Sequence, residues 1–316
     1  MLRSSLQIAI NALILFSLLV LARESLAEKW ENPNSLESLI EAGGAYMGVD
    51  ACKACHPTQH TQMLNESHGQ ASDVRTPFAQ KDCESCHGPG EKHITVIKGG
   101  LVAFSGPYAS PVEAQNTMCL QCHKGGSMIM WHDSLHDIER VSCSDCHSMH
   151  KPSKVMDRST EAEVCYQCHG NVRAMSYQMS EHGIREGKIV CSDCHNSHGS
   201  NTPFMLEQLS INDNCYECHP EKRGPFLWEH YPSTEDCSLC HRSHGSNHPF
   251  LLTKQGPQLC QQCHAQIAPD GSGHVRVFYD YEDPDPKRGR AIFARNCANC
   301  HQVHGSNHPS GVNLLR

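Results

Sequence analysis

Every cysteine of this 316-residue chain lies in a Cys-x-x-Cys-His unit. The thiol pairs are Cys52 and Cys55, Cys83 and Cys86, Cys119 and Cys122, Cys143 and Cys146, Cys165 and Cys168, Cys191 and Cys194, Cys215 and Cys218, Cys237 and Cys240, Cys260 and Cys263, and Cys297 and Cys300. The histidines that follow them are His56, His87, His123, His147, His169, His195, His219, His241, His264 and His301. Two thiols three positions apart project from the same side of a helical turn. Both can therefore form thioethers to one porphyrin edge while the adjacent imidazole turns toward the iron, which is the pattern of c-type haem attachment. Disulfides or zinc could also use twenty cysteines, but neither explains a histidine after all ten pairs. The expected cofactor is ten covalently bound haem c groups, with those ten histidines as proximal iron ligands.

Fourteen histidines remain. A histidine three residues after a proximal one lies on the same face of the turn and cannot reach the far side of the same haem, so His150, His198, His244 and His304 are expected to serve neighbouring irons. A second recurrence lies upstream, where His136, His182 and His230 precede Cys143, Cys191 and Cys237, and His68 and His274 hold the equivalent place before Cys83 and Cys297. The repeating unit is thus a plain motif, a lone histidine, and a second motif with a trailing histidine. It recurs five times, over about 52–93, 119–150, 165–198, 215–244 and 260–304. In the first copy the trailing histidine is displaced, and His93 takes its role. The expected distal set is His68, His93, His136, His150, His182, His198, His230, His244, His274 and His304, one for each iron. His60, His132, His248 and His308 are surplus and read as exposed or propionate-bonding, with His60 the rival of His68 and His308 the rival of His274. No methionine ligand is needed.

An iron with imidazole on both faces has no open position for a substrate, so this ligand set predicts electron transfer and no enzyme activity. The absence of methionine ligands predicts low potentials, tuned by hydrogen bonds to the far imidazole nitrogen. Once the first 27 residues are set aside, about 29 residues are left for each haem, so neighbouring macrocycles must nearly touch, as in a stack where each repeat contacts its neighbours.

The scaffold follows from the same arithmetic. Cys and His make up 44 residues and Phe, Trp and Tyr only 19, too little apolar bulk for an ordinary core. The expected fold is a multihaem cytochrome c: mostly short α-helices and loops wrapped around an elongated stack of ten haems, with little β-structure. Helices should follow each motif, and Gly and Pro should mark loops such as HGSNTP and HGSNHP. Residues 94–118 read as a loop or short hairpin, 279–290 as a solvated excursion, and the stretch after Glu28 as a short amphipathic helix anchored by Trp30. Residues 1–27, with Arg3, an apolar run over 12–22 and Ser25-Leu26-Ala27, read as a cleaved secretory signal; the run is too short to span a bilayer. The remaining 28–316 form the decahaem domain, with 24 basic and 33 acidic residues, a formal charge of −9, so nucleic acid is not an expected partner.

The stretches NDNCYECHPEKRGPFLWEHYP, PQLCQQCHA, CSDCHNSHGS and CHQVHGSNHPSG resemble the periplasmic decahaem cytochromes of the MtrA, DmsE and PioA group. The resemblance runs from Cys52 onward and is weakest at 94–118 and 265–296. It implies a periplasmic protein associated with the outer membrane, held in a porin-like β-barrel of the MtrB type, with every iron bis-histidine. The donor would be a periplasmic or inner-membrane cytochrome, and the acceptor an outer-surface multihaem cytochrome or terminal reductase. Such conduits serve outward flow to metal oxides or dimethyl sulfoxide, or inward flow from ferrous iron. The alternatives are a free periplasmic multihaem carrier and a multihaem oxidoreductase of the nitrite or hydroxylamine kind, which needs an iron with an open face.

Overall fold

A computed structural model describes residues 35–97, 99–264 and 296–309. His274, the secretory segment, Trp30 and the 279–290 excursion lie outside the described residues. The chain forms two compact units: one runs to Lys124 and takes in Arg140–Pro152, and the other comprises Gly125–Glu139 and everything from Ser153 onward. The second sequence repeat, 119–150, is therefore divided, because the segment carrying His136 belongs to the second unit.

Helices among the described residues are three to nine residues long. Isolated helices this short do not persist in water, so local signals start them and tertiary contacts keep them. Serines at helix starts accept the orphan backbone N–H groups: Ser35 from Ser38, Ser134 from Asp137, Ser210 from Asp213. At Cys143–Cys146 the box is complete, with Ser142 and Asp145 serving each other's backbone. Helices follow the motif at Pro57–Met63, Gly170–Met175 and Pro220–Lys222, as expected. Elsewhere the helix leads into or contains the motif, as at Ile211–Tyr216 and Cys143–Cys146.

The 94–118 expectation is corrected at its two ends: residues 99–111 are loop as expected, but Glu91–Val96 and Val112–Leu120 are helical, since Pro111 fixes the entry to the second and Glu113 favours its first turn. Leu36, Val102, Ala114 and Met118 form a buried cluster there, with Leu39, Ile40 and Phe104 packed against it. The helix Leu36–Gly43 docks on this cluster, so the expected N-terminal helix exists with Leu36 as its buried anchor. Only ten hydrophobic side chains are buried among the described residues, so this small cluster does not carry the fold.

In the second unit, consecutive repeats lock by backbone. Ser180 and Ser246 exchange N–H···O bonds of 2.9 and 2.8 Å, and Trp228–Glu229 pairs antiparallel with Gly305–Ser306, the one two-stranded sheet among the described residues. Gly305 is part of the second lock and Gly245 lies next to the first, each directly after a trailing histidine, as Gly199 is after His198. Gly199, Gly245 and Gly305 have φ of 113°, 148° and 134°, and a Cβ on them would strike Met130 O, Met175 O and the Phe226 ring. Only glycine combines that backbone with that approach. No helix of the described residues is long and apolar enough to cross a membrane.

Gly245→Ala should therefore destabilise the haem-loaded protein by ~1–3 kcal/mol or more, seen as a clear fall in the thermal midpoint. Gly170→Ala, at a position with nothing within 4 Å of an added Cβ, should leave the midpoint near that of the unmodified protein.

Candidate haem-binding sites

All ten motifs share one local geometry. In each, the histidine N–H donates to the carbonyl of the first cysteine at 2.8–3.0 Å, closing a single helical turn. That turn sends both thiols to one side and the imidazole away along the chain. None of the twenty cysteines is in a disulfide.

The structure then brings motif histidines face to face with the histidines singled out by spacing. In the first unit, the ring centroids of His56 and His93 lie 6.3 Å apart, those of His123 and His68 5.9 Å, and those of His87 and His150 6.0 Å. In the second unit the pairs are His169 with His136 at 6.2 Å, His195 with His244 at 6.0 Å, His264 with His230 at 6.3 Å and His241 with His304 at 6.1 Å. A metal–imidazole bond of about 2 Å on each side, plus roughly 1 Å from nitrogen to ring centre, gives about 6 Å. The rings thus stand at the separation two imidazoles take on opposite faces of one iron.

The pairs follow a rule. A lone histidine faces the plain motif of the following repeat, as His68 faces His123, His136 faces His169 and His230 faces His264. A trailing histidine faces the second motif of the preceding repeat, as His150 faces His87, His244 faces His195 and His304 faces His241. His93 alone of the trailing group faces a motif of its own copy, at His56.

Of the rivals and surplus residues, His60 packs on Phe78 with centroids 6.0 Å apart, while His68 takes the place opposite His123. His132 is exposed, with Nδ1 4.0 Å from Asp137 Oδ2. His248 donates its backbone N–H to Ser246 Oγ at 3.0 Å, and the His308 carbonyl accepts from Trp228 Nε1 at 3.2 Å. Among the described residues no such ring pair joins His182 and His219.

A second shell fixes which nitrogen is free. His136, His182 and His230 hold Nδ1 at 2.7–2.8 Å from the carbonyls of Ser197, Ser243 and Val303, each the residue just before a trailing histidine. His87, His195 and His241 hold Nδ1 at 2.8 Å from the carbonyls of Val102, Phe204 and Phe250. A carbonyl can only accept, so Nδ1 carries the proton and Nε2 keeps the lone pair that a metal needs. Burial depresses the pKa of His68, His87, His150, His198, His244 and His304, favouring the neutral, ligating form. These carbonyl partners were invisible to residue-type reasoning because they are backbone atoms. The one sequence trace is the shared HGSNxPF of 198–204 and 244–250.

The sulfur atoms, here free thiols standing in for thioether sulfurs, are also ordered. Within each repeat the first cysteines of the two motifs are neighbours: Cys52 with Cys83, Cys119 with Cys143, Cys165 with Cys191, Cys215 with Cys237 and Cys260 with Cys297. Between repeats the second cysteines are neighbours: Cys86 with Cys122, Cys194 with Cys218 and Cys240 with Cys263. The neighbouring Cys215 thiol holds the Cys237 thiol down at about 7 and is itself pushed up. Burial, with Cys83 close by, drives Cys52 to about 11. Glu161, Cys165 and Cys191 lie within 4.8 Å of one another, but both sulfurs belong to attachment motifs and the carboxylate already accepts from Ser192 N and Oγ. The donor set, two thiols and an imidazole in each motif with a second ring about 6 Å away at seven of them, fits haem c.

Residues 182–224 and 230–269 match the family described as a doubled CXXCH motif, and residues 83–162 match the cytochrome c-type NrfB-like family. The chain is 42% identical over 316 aligned residues to "Multiheme cytochrome MtrA" of Shewanella baltica (strain OS185), covering 94% of this chain and 92% of the relative. It is also 25% identical over 138 residues to "Multiheme cytochrome MtrC" of the same strain, covering 40% of this chain and 18% of that protein. Alkylation of the denatured, reduced holoprotein should modify none of the twenty cysteines, whereas disulfide or zinc chemistry would leave them alkylated.

Proposed function

The chain belongs to the MtrA family of multihaem c-type cytochromes, electron-transfer proteins and not enzymes, and on that premise we propose that it carries ten bis-histidine haem c groups as a conduit across the outer membrane. The observation that carries this reading is the set of seven histidine pairs at 5.9–6.3 Å, six of them drawn from different repeats. In this reading each pair closes one iron. His147, His219 and His301 hold the other three, and His182, His198 and His274 complete the distal set. The domain plan is a cleaved segment 1–27 followed by five two-haem repeats.

Haem c, when bound, supplies a one-electron Fe(III)/Fe(II) couple. The chain's own residues do the rest. Each motif imidazole and the ring facing it would together hold one iron, leaving it no open position for a substrate oxygen or nitrogen. The carbonyls on Nδ1 make the imidazoles better donors, which favours the oxidised iron and lowers its potential. Within each unit, the alternation of first-cysteine and second-cysteine contacts supports an electron path in which neighbouring sites meet edge to edge.

The family resemblance and the similarity to MtrA support a periplasmic location with the conduit seated in an outer-membrane β-barrel of the MtrB type. A periplasmic or inner-membrane cytochrome would be the donor. The weaker similarity to MtrC supports multihaem surface cytochromes as the class of partner on the other side, serving extracellular respiration or inward iron oxidation.

Haem quantitation should give ten haems per chain, and electron paramagnetic resonance of the oxidised protein should show only low-spin bis-imidazole iron. His304→Ala should convert about one iron in ten to a high-spin form that binds carbon monoxide, because His241 loses the ring opposite it; an unchanged spectrum rejects the pairing. Liposomes carrying the barrel and this protein should reduce an enclosed acceptor from an external donor, and the barrel alone should not. A native high-spin fraction turning over nitrite would favour the oxidoreductase reading instead.

A further inference from the structure

Two stretches of the second unit hold bulky residues in a backbone conformation made for glycine. Phe204 and Met205 have φ of 60° and 52°, and Phe250 and Leu251 both have φ of 60°. The two phenylalanines have nearly the same backbone, with ψ of 19° and 28°. Side chains larger than Asn adopt this region rarely and at a penalty. Packing does not explain the choice of residue, because the Phe204 and Phe250 rings are 70% and 78% exposed. A strained conformation that recurs at the same place in two repeats points to what the backbone delivers there.

What it delivers is one carbonyl each. Phe204 O accepts from His195 Nδ1 and Phe250 O accepts from His241 Nδ1, both at 2.8 Å. The second residue of each pair turns the chain back on the motif. Asn196 N donates to Met205 O at 2.8 Å and Arg242 N to Leu251 O at 2.7 Å, and Leu206 and Leu252 then bridge to His195 and His241 themselves. With φ negative at the phenylalanine, the peptide plane would rotate and its carbonyl would leave the imidazole. His87 gains the same anchor from Val102 O, fifteen residues away and with ordinary backbone at Val102. The anchor thus recurs by two routes, and the strain appears only where the loop is nine residues long.

Resting on the reading of His195 and His241 as iron ligands, we propose that Phe204 and Phe250 are positioning residues. Their left-handed backbone holds a peptide carbonyl on the proximal imidazole, and so sets the potential of one iron each. The hydrogen bond makes the imidazole a stronger donor and stabilises the ferric state; losing it moves that iron's potential positive.

The test is a spectroelectrochemical titration of the full haem-loaded protein. Phe204→Val, whose β-branched side chain opposes a positive φ, should keep every iron low-spin yet shift one redox component positive. Phe204→Gly, which adopts the same φ without penalty, should titrate like the unmodified protein. Phe250→Val and Phe250→Gly should repeat the pattern on a different component. Should a valine variant fail to mature, the alanine variant must show a smaller shift in the same direction. Titrations unchanged in the valine and alanine variants overturn the proposal, as does a glycine variant that shifts as valine does, since the side chain would then be responsible. If instead the ligand reading is wrong, the unmodified protein already shows iron without two imidazoles.

Discussion

A histidine beside its own attachment motif cannot reach the far face of the haem bound there, and this geometric limit organises the molecule. Each motif is a closed turn that commits its imidazole to one face. The ring that stands opposite must come from elsewhere, and in six of the seven ring pairs it comes from an adjoining repeat. His68, His136 and His230 reach forward to the next plain motif, while His150, His244 and His304 reach back to the previous second motif. Repeats are thereby interleaved and cannot act as beads on a string. His56 and His93, at the start of the array, form a pair within one copy.

Interleaving needs the chain segments to come very close, and the backbone is adapted to that. Gly199, Gly245 and Gly305 sit directly after trailing histidines at positive φ and allow an earlier segment of the chain to pass where a methyl group would collide. The carbonyl just before His198, His244 and His304 is then in place to hold the lone histidine of the preceding repeat, as in Ser243 O with His182 and Val303 O with His230. One dipeptide step therefore both presents a ring to one site and anchors a ring at another. The strained pairs at Phe204 and Phe250 do the corresponding work for proximal rings.

This economy explains how a chain with a small apolar core holds its shape. The cluster around Leu36, Val102 and Met118 organises one end of the first unit, and elsewhere the contacts are short caps, backbone bridges and imidazole anchors. Such contacts are individually weak. Covalently attached haem would supply the binding free energy that ties them together, as metals do in other small-core domains.

The chain's chemistry was legible in its residues because it depends on identity and spacing alone: twenty cysteines in ten units, each followed by histidine, admit one economical cofactor. The distal candidates were legible for the same reason, and so was the scarcity of β-structure. What spacing could not decide was which ring faces which, why His60 packs against Phe78 while His68 faces His123, or that Val112–Leu120 is helical. Nor could it place His136, in the middle of the second repeat, with the second unit. Those outcomes depend on contacts between residues far apart in sequence, such as His230 with Val303, 73 positions on, and on backbone carbonyls and positive φ angles. Side-chain identity encodes what can bind a metal; only the path of the folded backbone decides which candidates meet.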